Sequence, residues 1–479
     1  MTVRLRYLNK ADIFFNLYGK VRKGVTYENE KSLTIATIDI GGGTTDLMIC
    51  AYQYEKGQSL AVIKPHPLFW ESFNLAGDDL VKELIQQLLI EGVPANQESI
   101  KSTGVIRQAA ATTGVTNLVQ KLNNFFGSDS NNQDYLHRVY RKNFIAQVAI
   151  PIILQYLSHT AEDKPDRVIG FEELFAGISR PNKQVLNYFN THFAPLKFED
   201  IQWKFSAKEV NSVLEKTFEP LFKQLSAIIS AYGCDFLLLA GRPTTLPKIR
   251  ELFIKYYPVS PERLITLNDY RVGRWYPFAD DVGYFSDPKT IVSVGSIIAL
   301  MGGVLDRLEG FRLNTSLLRK NLISTSDYMG VMNTYTQNLD SILLMPDTNS
   351  CEIEVHSLPI IIGYKQLPNI SYRARPIYKI EFNENFFRQK VVEQNSSLHT
   401  EKQIGEAIDN YHTMLKGRMP FLVKIKRDWN NSREALTIEG IKDSQKNESA
   451  RQLLSLSVMT LPHEKGYWLD TGEFVLNIQ

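Results

Sequence analysis

The chain has 479 residues, with 54 Lys and Arg against 52 Asp and Glu, a formal net charge of +2 at pH 7. That balance leaves no electrostatic footprint for nucleic acid or an anionic membrane surface. A chain this long exceeds one hydrophobic core, so two to four domains are expected.

In chain order, the N-terminal "RLRYLNK" is basic but short and is not followed by the apolar core of a signal segment. Residues 33–52 then read as strand, glycine turn, strand, around "TIDIGGGTTDLMICAYQY". Plain hairpins turn on two residues such as Asn-Gly. Here the turn is GGGTT, bracketed by Asp39 and Asp46. A glycine run costs conformational entropy and needs a reason, such as positive φ or a close ligand. Successive N–H groups of Gly41, Gly42 and Gly43 make an anion nest, to which the Thr44 and Thr45 hydroxyls add donors. Two acids beside an anion site make sense only with a cation or a reacting water between them. The bland alternative is a glycine-rich hairpin with charged shoulders.

An extended stretch follows at "LAVIKPHPLFW", and "AGDDLVKELIQQLLIEG" changes to helical period with Leu80, Leu84, Ile85, Leu88 and Leu89 on one face. Residues 95–165 read as mostly polar helix with a loop at "FFGSDSNNQD"; "QVAIPIILQYL" is a buried helix or strand that periodicity does not decide. In "FSAKEVNSVLEKTFEPLFKQLSAIISAYG", Ser206 and Glu209 fit a capping box, Pro220 predicts a kink and Gly233 a stop. Directly after, the apolar strand Phe236–Leu239 enters a Gly-Arg-Pro-Thr-Thr turn, and Pro247 opens a helix. Strand, tight turn and helix is a geometry that holds ligands at strand ends, and equally an ordinary βα unit.

In "DPKTIVSVGSIIALMGG", Asp287 caps a helix with Pro288 at its first position, and Ser293, Gly295 and Ser296 permit close packing. The apolar run here is broken by Gly and Ser and too short to span a membrane. Beyond about residue 350, short extended segments such as "CEIEVHSLPIIIGY", "FLVKIKRDW" and "YWLDTGEFVLNI" alternate with turns, a β-rich module. Cys50, Cys234 and Cys351 lie far apart in or beside apolar sequence, and the eight histidines show no metal-ligand spacing. Reduced core thiols in the cytoplasm are expected, with export by a route that leaves no visible signal as the alternative.

Together these landmarks resemble the actin, sugar-kinase and heat-shock-chaperone ATPase superfamily. "DIGGGTTD" is similar to its second phosphate loop, "LLLAGRPTTLPKIRELF" to its adenosine loop and "DPKTIVSVGSIIAL" to its second connecting helix. "NLAGDDLVKEL" and "FEPLFKQL" sit where that superfamily has comparable helices. "YRVGRWYPF" with "AGRP" narrows the resemblance to the bacterial SrfB-type virulence factor family; an aromatic, proline-anchored loop is also commonly just a packed lid.

The resemblance implies an α/β, actin-like (ribonuclease H-like) ATPase fold with ATP and Mg as cofactors. Asp39 would hold a metal-bound water. Gly41, Gly42, Gly43, Thr44 and Thr45 would cradle phosphates, and Asp46 would orient the attacking water. Gly241 would pass close to the adenosine with Thr244 in its turn, Arg242 would stack on the base or pair with phosphate, or equally fill space and weaken the adenine pocket, and Gly77 would line the base from the other lobe. The superfamily's first phosphate loop, an Asp-x-Gly turn, is not spelled in the 38 residues before Asp39. Most of the first lobe is therefore expected on a missing N-terminal half or a companion protein. The implied organisation is 1–32 remnant or linker, 33–302 ATPase lobe, 303–350 helical connector and 351–479 β-rich module. A nucleotide-switched ATPase and a non-catalytic scaffold retaining the fold are the two functional expectations.

Overall fold

The computed structural model of the protein describes residues 11–22, 31–56, 61–94, 101–128, 135–285, 287, 289–316, 318, 325–394, 401–430, 433–459 and 468–478. The basic N-terminal segment, Pro288 and most of the loop after Phe126 lie outside them. The chain forms two units, Met1–Thr315 with His463–Gln479, and Ser316–Pro462.

In the first unit, α1 (Ala11–Tyr18) and β1 (Lys20–Val21) precede a meander of β2 (Lys31–Ile40), β3 (Thr45–Lys56) and β4 (Ala61–Phe73). Residues Ser32–Ala36 of β2 are all buried, the mark of a strand covered on both faces. Residues 1–32 are expected as a remnant or linker, yet the part described is packed. Phe14 and Phe15 lie against Leu33, Ile35 and Phe236. Arg22 pairs at 2.6 Å with the buried Asp235, which also accepts from the Thr34 N–H at 2.9 Å.

After β4 comes a helical block: α2 (Gly77–Leu84), α3 (Val105–Thr112), α4 (Leu118–Phe126), α5 (Tyr135–Phe144), α6 (Ile150–Ala161), β5 (Arg167–Ile169), α7 (Lys183–His192) and β6 (Trp203–Phe205). α2 widens into π-type turns over Ile85–Glu91, and the five apolar residues of its predicted face are buried. The undecided "QVAIPIILQYL" is helix. Wider turns at Ile145–Ala149 stand directly before Pro151, where a missing N–H is tolerated. By length and composition Tyr135–Ala161 could cross a membrane, but half of its apolar window is buried inside the protein. Phe125, Phe126, Phe144, Phe189, Phe193 and Phe198 are fully buried and form the centre of the block.

α8 (Ala207–Tyr232) returns the chain to the sheet and runs through Pro220. Val210, Val213, Leu214, Leu225, Ile228 and Ile229 are buried along it, each worth about 1.5–3 kcal/mol. Its start corrects the capping-box expectation: the Ser206 side chain makes no capping bond, and Glu209 pairs with Lys204 at 2.9 Å. It ends at Gly233, with φ 55°, a left-handed cap.

β7 (Phe236–Ala240) lies parallel to β2, and α9 (Pro247–Tyr256) leads to β8 (Leu264–Thr266), parallel to β7. α10 (Thr290–Gly303) leads to β9 (Phe311–Leu313), parallel to β4. The sheet order is β8-β7-β2-β3-β4-β9, with β1 on β2.

The second unit holds β10 (Tyr328–Met332), β11 (Leu339–Leu344), β12 (Ser350–Val355), β13 (Ile360–Lys365), β14 (Arg375–Phe382), α11 (Glu384–Gln394), α12 (Glu401–Lys416), β15 (Phe421–Asn430), β16 (Arg433–Lys442), β17 (Glu448–Ser449) and β18 (Leu454–Val458). Two antiparallel sheets, β11-β10-β13-β14-β18 and β12-β15-β16-β17, share one core with Phe387 and Leu415 of its helices. The segment expected as a helical connector, 303–350, thus carries β9, β10 and β11. The expected strand at "YWLDTGEFVLNI" begins as the short helix α13 (Trp468–Thr471) and belongs to the first unit. There the fully buried Arg141 pairs with Glu473 at 2.5 Å and donates to the Thr471 carbonyl at 3.0 Å.

Candidate functional site

Because β2 and β7 pair in parallel, with Asp39 opposite Ala240, the turns after both strands open at the same sheet edge. There they line a cavity of about 700 Å³. One wall is backbone-rich: Asp39, Gly41 and Gly42 from β2 and its turn, Gly77 and Asp78 from α2, and Gly241, Arg242 and Pro243 from the turn after β7. Leu154, Leu157 and Ala161 of α6 give an apolar wall, and Lys289 and Val292 come from the start of α10.

The Gly41 N–H donates to the Thr44 carbonyl at 2.8 Å, closing the β2–β3 turn. The Gly41 and Gly42 carbonyls in turn accept from the N–H groups of Gly77, at 3.0 Å, and Asp78, at 2.7 Å. These first donors of α2 are spent on the turn, so the helix offers them to no anion. The N–H groups of Gly42 and Gly43 have no partner among the described residues. No glycine of the run has a positive φ, so the left-handed explanation of its composition fails. Space explains part of it: a Cβ on Gly41 would lie 3.0 Å from the Thr44 oxygen, and one on Gly77 3.1 Å from the Gly41 oxygen. Gly241 is the position that requires glycine, with φ 93° and a Cβ that would fall 2.1 Å from the Ile40 carbonyl oxygen.

Asp39 is half-buried at the cavity. Burial first, and Asp46 second, push its carboxyl above the usual range. Its oxygens take no hydrogen bond or ion pair among the described residues. A half-buried carboxyl with no partner fits a hydrated divalent cation, which would relieve both causes. Among the described residues no group of three or more His, Cys, Asp or Glu is placed to hold a metal directly.

Asp46 is the register partner of Asp39 on one side and of Ser72 on the other. Its carboxylate accepts from the Ser72 hydroxyl and from the Thr44 hydroxyl, the latter at 3.3 Å. Thr45 is fully buried and donates to the Leu75 carbonyl at 2.7 Å. The Thr244 hydroxyl donates to the Gly241 carbonyl at 2.7 Å and accepts from Asn268 at 2.8 Å. Thus Asp39, Gly41, Gly42, Gly77, Gly241 and Arg242 meet at the cavity. Gly43, Thr44, Thr45, Asp46 and Thr244 do not line it, and Thr245 does.

Arg242 is 70% exposed and stands 3.9 Å from Asp287. Asp287 accepts from the Lys289 N–H at 3.0 Å at the start of α10. Tyr276, from "RWYPF", is buried with Val272 and Val294 and bonds Thr290 at 2.7 Å. That aromatic block is therefore packing beneath α10. The residues that sequence reasoning missed are Asp78, Lys289 and the α6 wall. Leu154, Leu157, Ser158 and Ala161 recur at spacings of three and four, a readable stripe once the segment is known to be helix.

The model of the family described as virulence factor SrfB matches residues 2–475. No curated protein matches the chain.

Proposed function

Starting from a chain that belongs to the virulence factor SrfB family, we propose that this cavity is a nucleotide site taking ATP with magnesium. The observation that carries the reading is the meeting of three glycine-marked backbone turns, at Gly41–Gly42, Gly77 and Gly241, around one cavity of about 700 Å³. That volume lies within the usual range for small-molecule pockets. The sheet order, an antiparallel meander joined in parallel by β7 and β8, supports an actin-like, ribonuclease H-like ATPase lobe.

In this reading the Gly42 and Gly43 N–H groups meet phosphate oxygens, Gly241 lets the adenosine approach backbone, and the α6 wall takes the base. Asp39 holds a metal-bound water, and magnesium, when bound, supplies the charge that lets phosphates sit beside an acid. Arg242 is free to swing from Asp287 toward base or phosphate. A companion lobe supplies the other half of the phosphate clamp. The exposure of Val292 (65%), Ile297 (56%) and Leu300 (48%) along α10 supports a partner there.

The test is calorimetric titration with Mg·ATP, with the companion lobe present. Gly42→Val should weaken binding at least tenfold while the protein stays folded, because a branched side chain would fill the space where phosphate meets backbone. Equal affinity of the variant, or no binding by the parent, sinks the proposal. A scaffold that binds without turnover is the second reading. It is favoured by Asp46, whose carboxylate is engaged by Ser72 and Thr44 away from the cavity.

A further inference from the structure

In the second unit, Lys365 ends β13 with only 5% of its surface exposed. Its ammonium donates to the Asn338 side-chain oxygen at 3.2 Å and the Ile370 carbonyl at 3.3 Å, and lies 4.8 Å from the centre of the Tyr372 ring. All three contacts are to groups without formal charge. Among the described residues no carboxylate comes within ion-pair distance of it. Burying an ammonium costs several kcal/mol unless an opposite charge and a full set of acceptors repay it. Here two long neutral bonds leave the third N–H and the charge unmatched. Burial is the cause that pulls this lysine below its usual pKa.

The surroundings are built. Tyr372 is buried, and its hydroxyl accepts from the N–H groups of Gln366, at 2.9 Å, and Leu367, at 3.0 Å, which fixes the loop after β13. Between that loop and the β10–β11 hairpin lies a pocket of about 280 Å³. Lys365 and both of its hydrogen-bond partners line it. The Asn338 oxygen faces the lysine, so its amide N–H groups remain as donors. Leu339, Ile342 and Pro368 give the pocket its apolar lining, and among the described residues no acidic one lines it.

We propose that this pocket binds a small carboxylic acid with an apolar body, its carboxylate on Lys365 and Asn338 and its chain against Leu339, Ile342 and Pro368. A single ammonium flanked by neutral donors matches a monoanion. A phosphate dianion would call for further cations, and among the described residues none lines the pocket.

Ligand-observed saturation-transfer NMR on the full chain tests this, with sodium hexanoate as probe and hexanamide and inorganic phosphate as comparators. Hexanoate should bind saturably, hexanamide at least tenfold more weakly. Lys365→Met should lose the signal. Because that variant removes a loop contact, Ile342→Glu provides a second arm: Ile342 is 39% exposed, so the protein should fold while its new carboxylate competes for Lys365. The proposal is overturned by absent hexanoate binding, by equal binding of hexanamide, by retention in Ile342→Glu, or by phosphate binding more tightly than hexanoate.

Discussion

Asp39 and Asp46 face each other as register partners across the first hairpin, yet only Asp39 lines the cavity. Ser72 continues the row on the next strand and donates to Asp46. Like charges directly opposite destabilise a strand pair, and the Ser72 and Thr44 hydroxyls offset this for Asp46 alone.

Asp39→Asn should therefore raise the thermal stability of the ligand-free protein at pH 7. The sign follows from linkage. A carboxyl raised in the folded state binds its proton more tightly there than in the unfolded chain, so stability falls as pH climbs from the unfolded value through the folded one. Asparagine removes that loss, and the gain should vanish below about pH 3, under the ordinary carboxyl pKa, where the group is protonated in both the folded and the unfolded chain. Melting curves at the two pH values decide it. A destabilised variant at pH 7 would mean that Asp39 has a favourable partner.

Asp46→Asn separates the two functional readings. If the protein hydrolyses ATP, turnover should slow about 10²-fold or more with ATP affinity nearly unchanged, the scale of a positioned base. Phosphate release and calorimetry give the two quantities. Turnover that is measurable and unaltered would remove Asp46 from the chemistry and leave it as a partner of Ser72.

The two buried threonines should act on stability and not on nucleotide affinity. Thr45→Val and Thr244→Val each delete a hydroxyl that donates at 2.7 Å to a carbonyl, a loss of about 1–2 kcal/mol each. Arg242→Ala should do the reverse, altering ATP affinity while leaving the denaturation midpoint within about 0.5 kcal/mol, as for an exposed side chain. Urea denaturation and titration of all three variants check the pattern.

Glu473→Ala should destabilise the first unit. It deprives Arg141, fully buried, of the carboxylate that pairs with it at 2.5 Å, at a cost of about 3 kcal/mol. Arg141→Met with Glu473→Ala should recover part of that loss, since neither charge then remains to be matched. A double variant as unstable as the single one would contradict the assignment.

Most of the first sheet was legible because its signals are local. Glycine and proline mark the turns around Gly241 and Pro247, and the apolar period of α2 selects the buried Leu80, Leu84 and Leu88. The capping box at Ser206 was misread because sequence spacing does not say where a side chain turns, and Lys204 draws Glu209 away. The strands between 303 and 350 were missed because Tyr328–Met332 and Leu339–Leu344 are short and mixed, and they become strands only by pairing with β13 and with each other. At the site, backbone-dictated positions such as Gly41 and Gly241 could be read. The spending of the Thr45 and Thr244 hydroxyls could not, since their acceptors depend on tertiary placement.

The two hydrogen bonds from the start of α2 to the glycine turn make a mechanical joint. Gly77 and Asp78 grip the carbonyls of Gly41 and Gly42, so the turn cannot be drawn toward a ligand without drawing the helix with it. α2 continues without a break into the wide turns at Ile85–Glu91, which pack on α3, while α2 itself packs on α6 and α8. The glycine turn, α2 and the helices packed on it are therefore tied in one contiguous set of backbone bonds and packed contacts, and close-packed interiors transmit displacement instead of absorbing it.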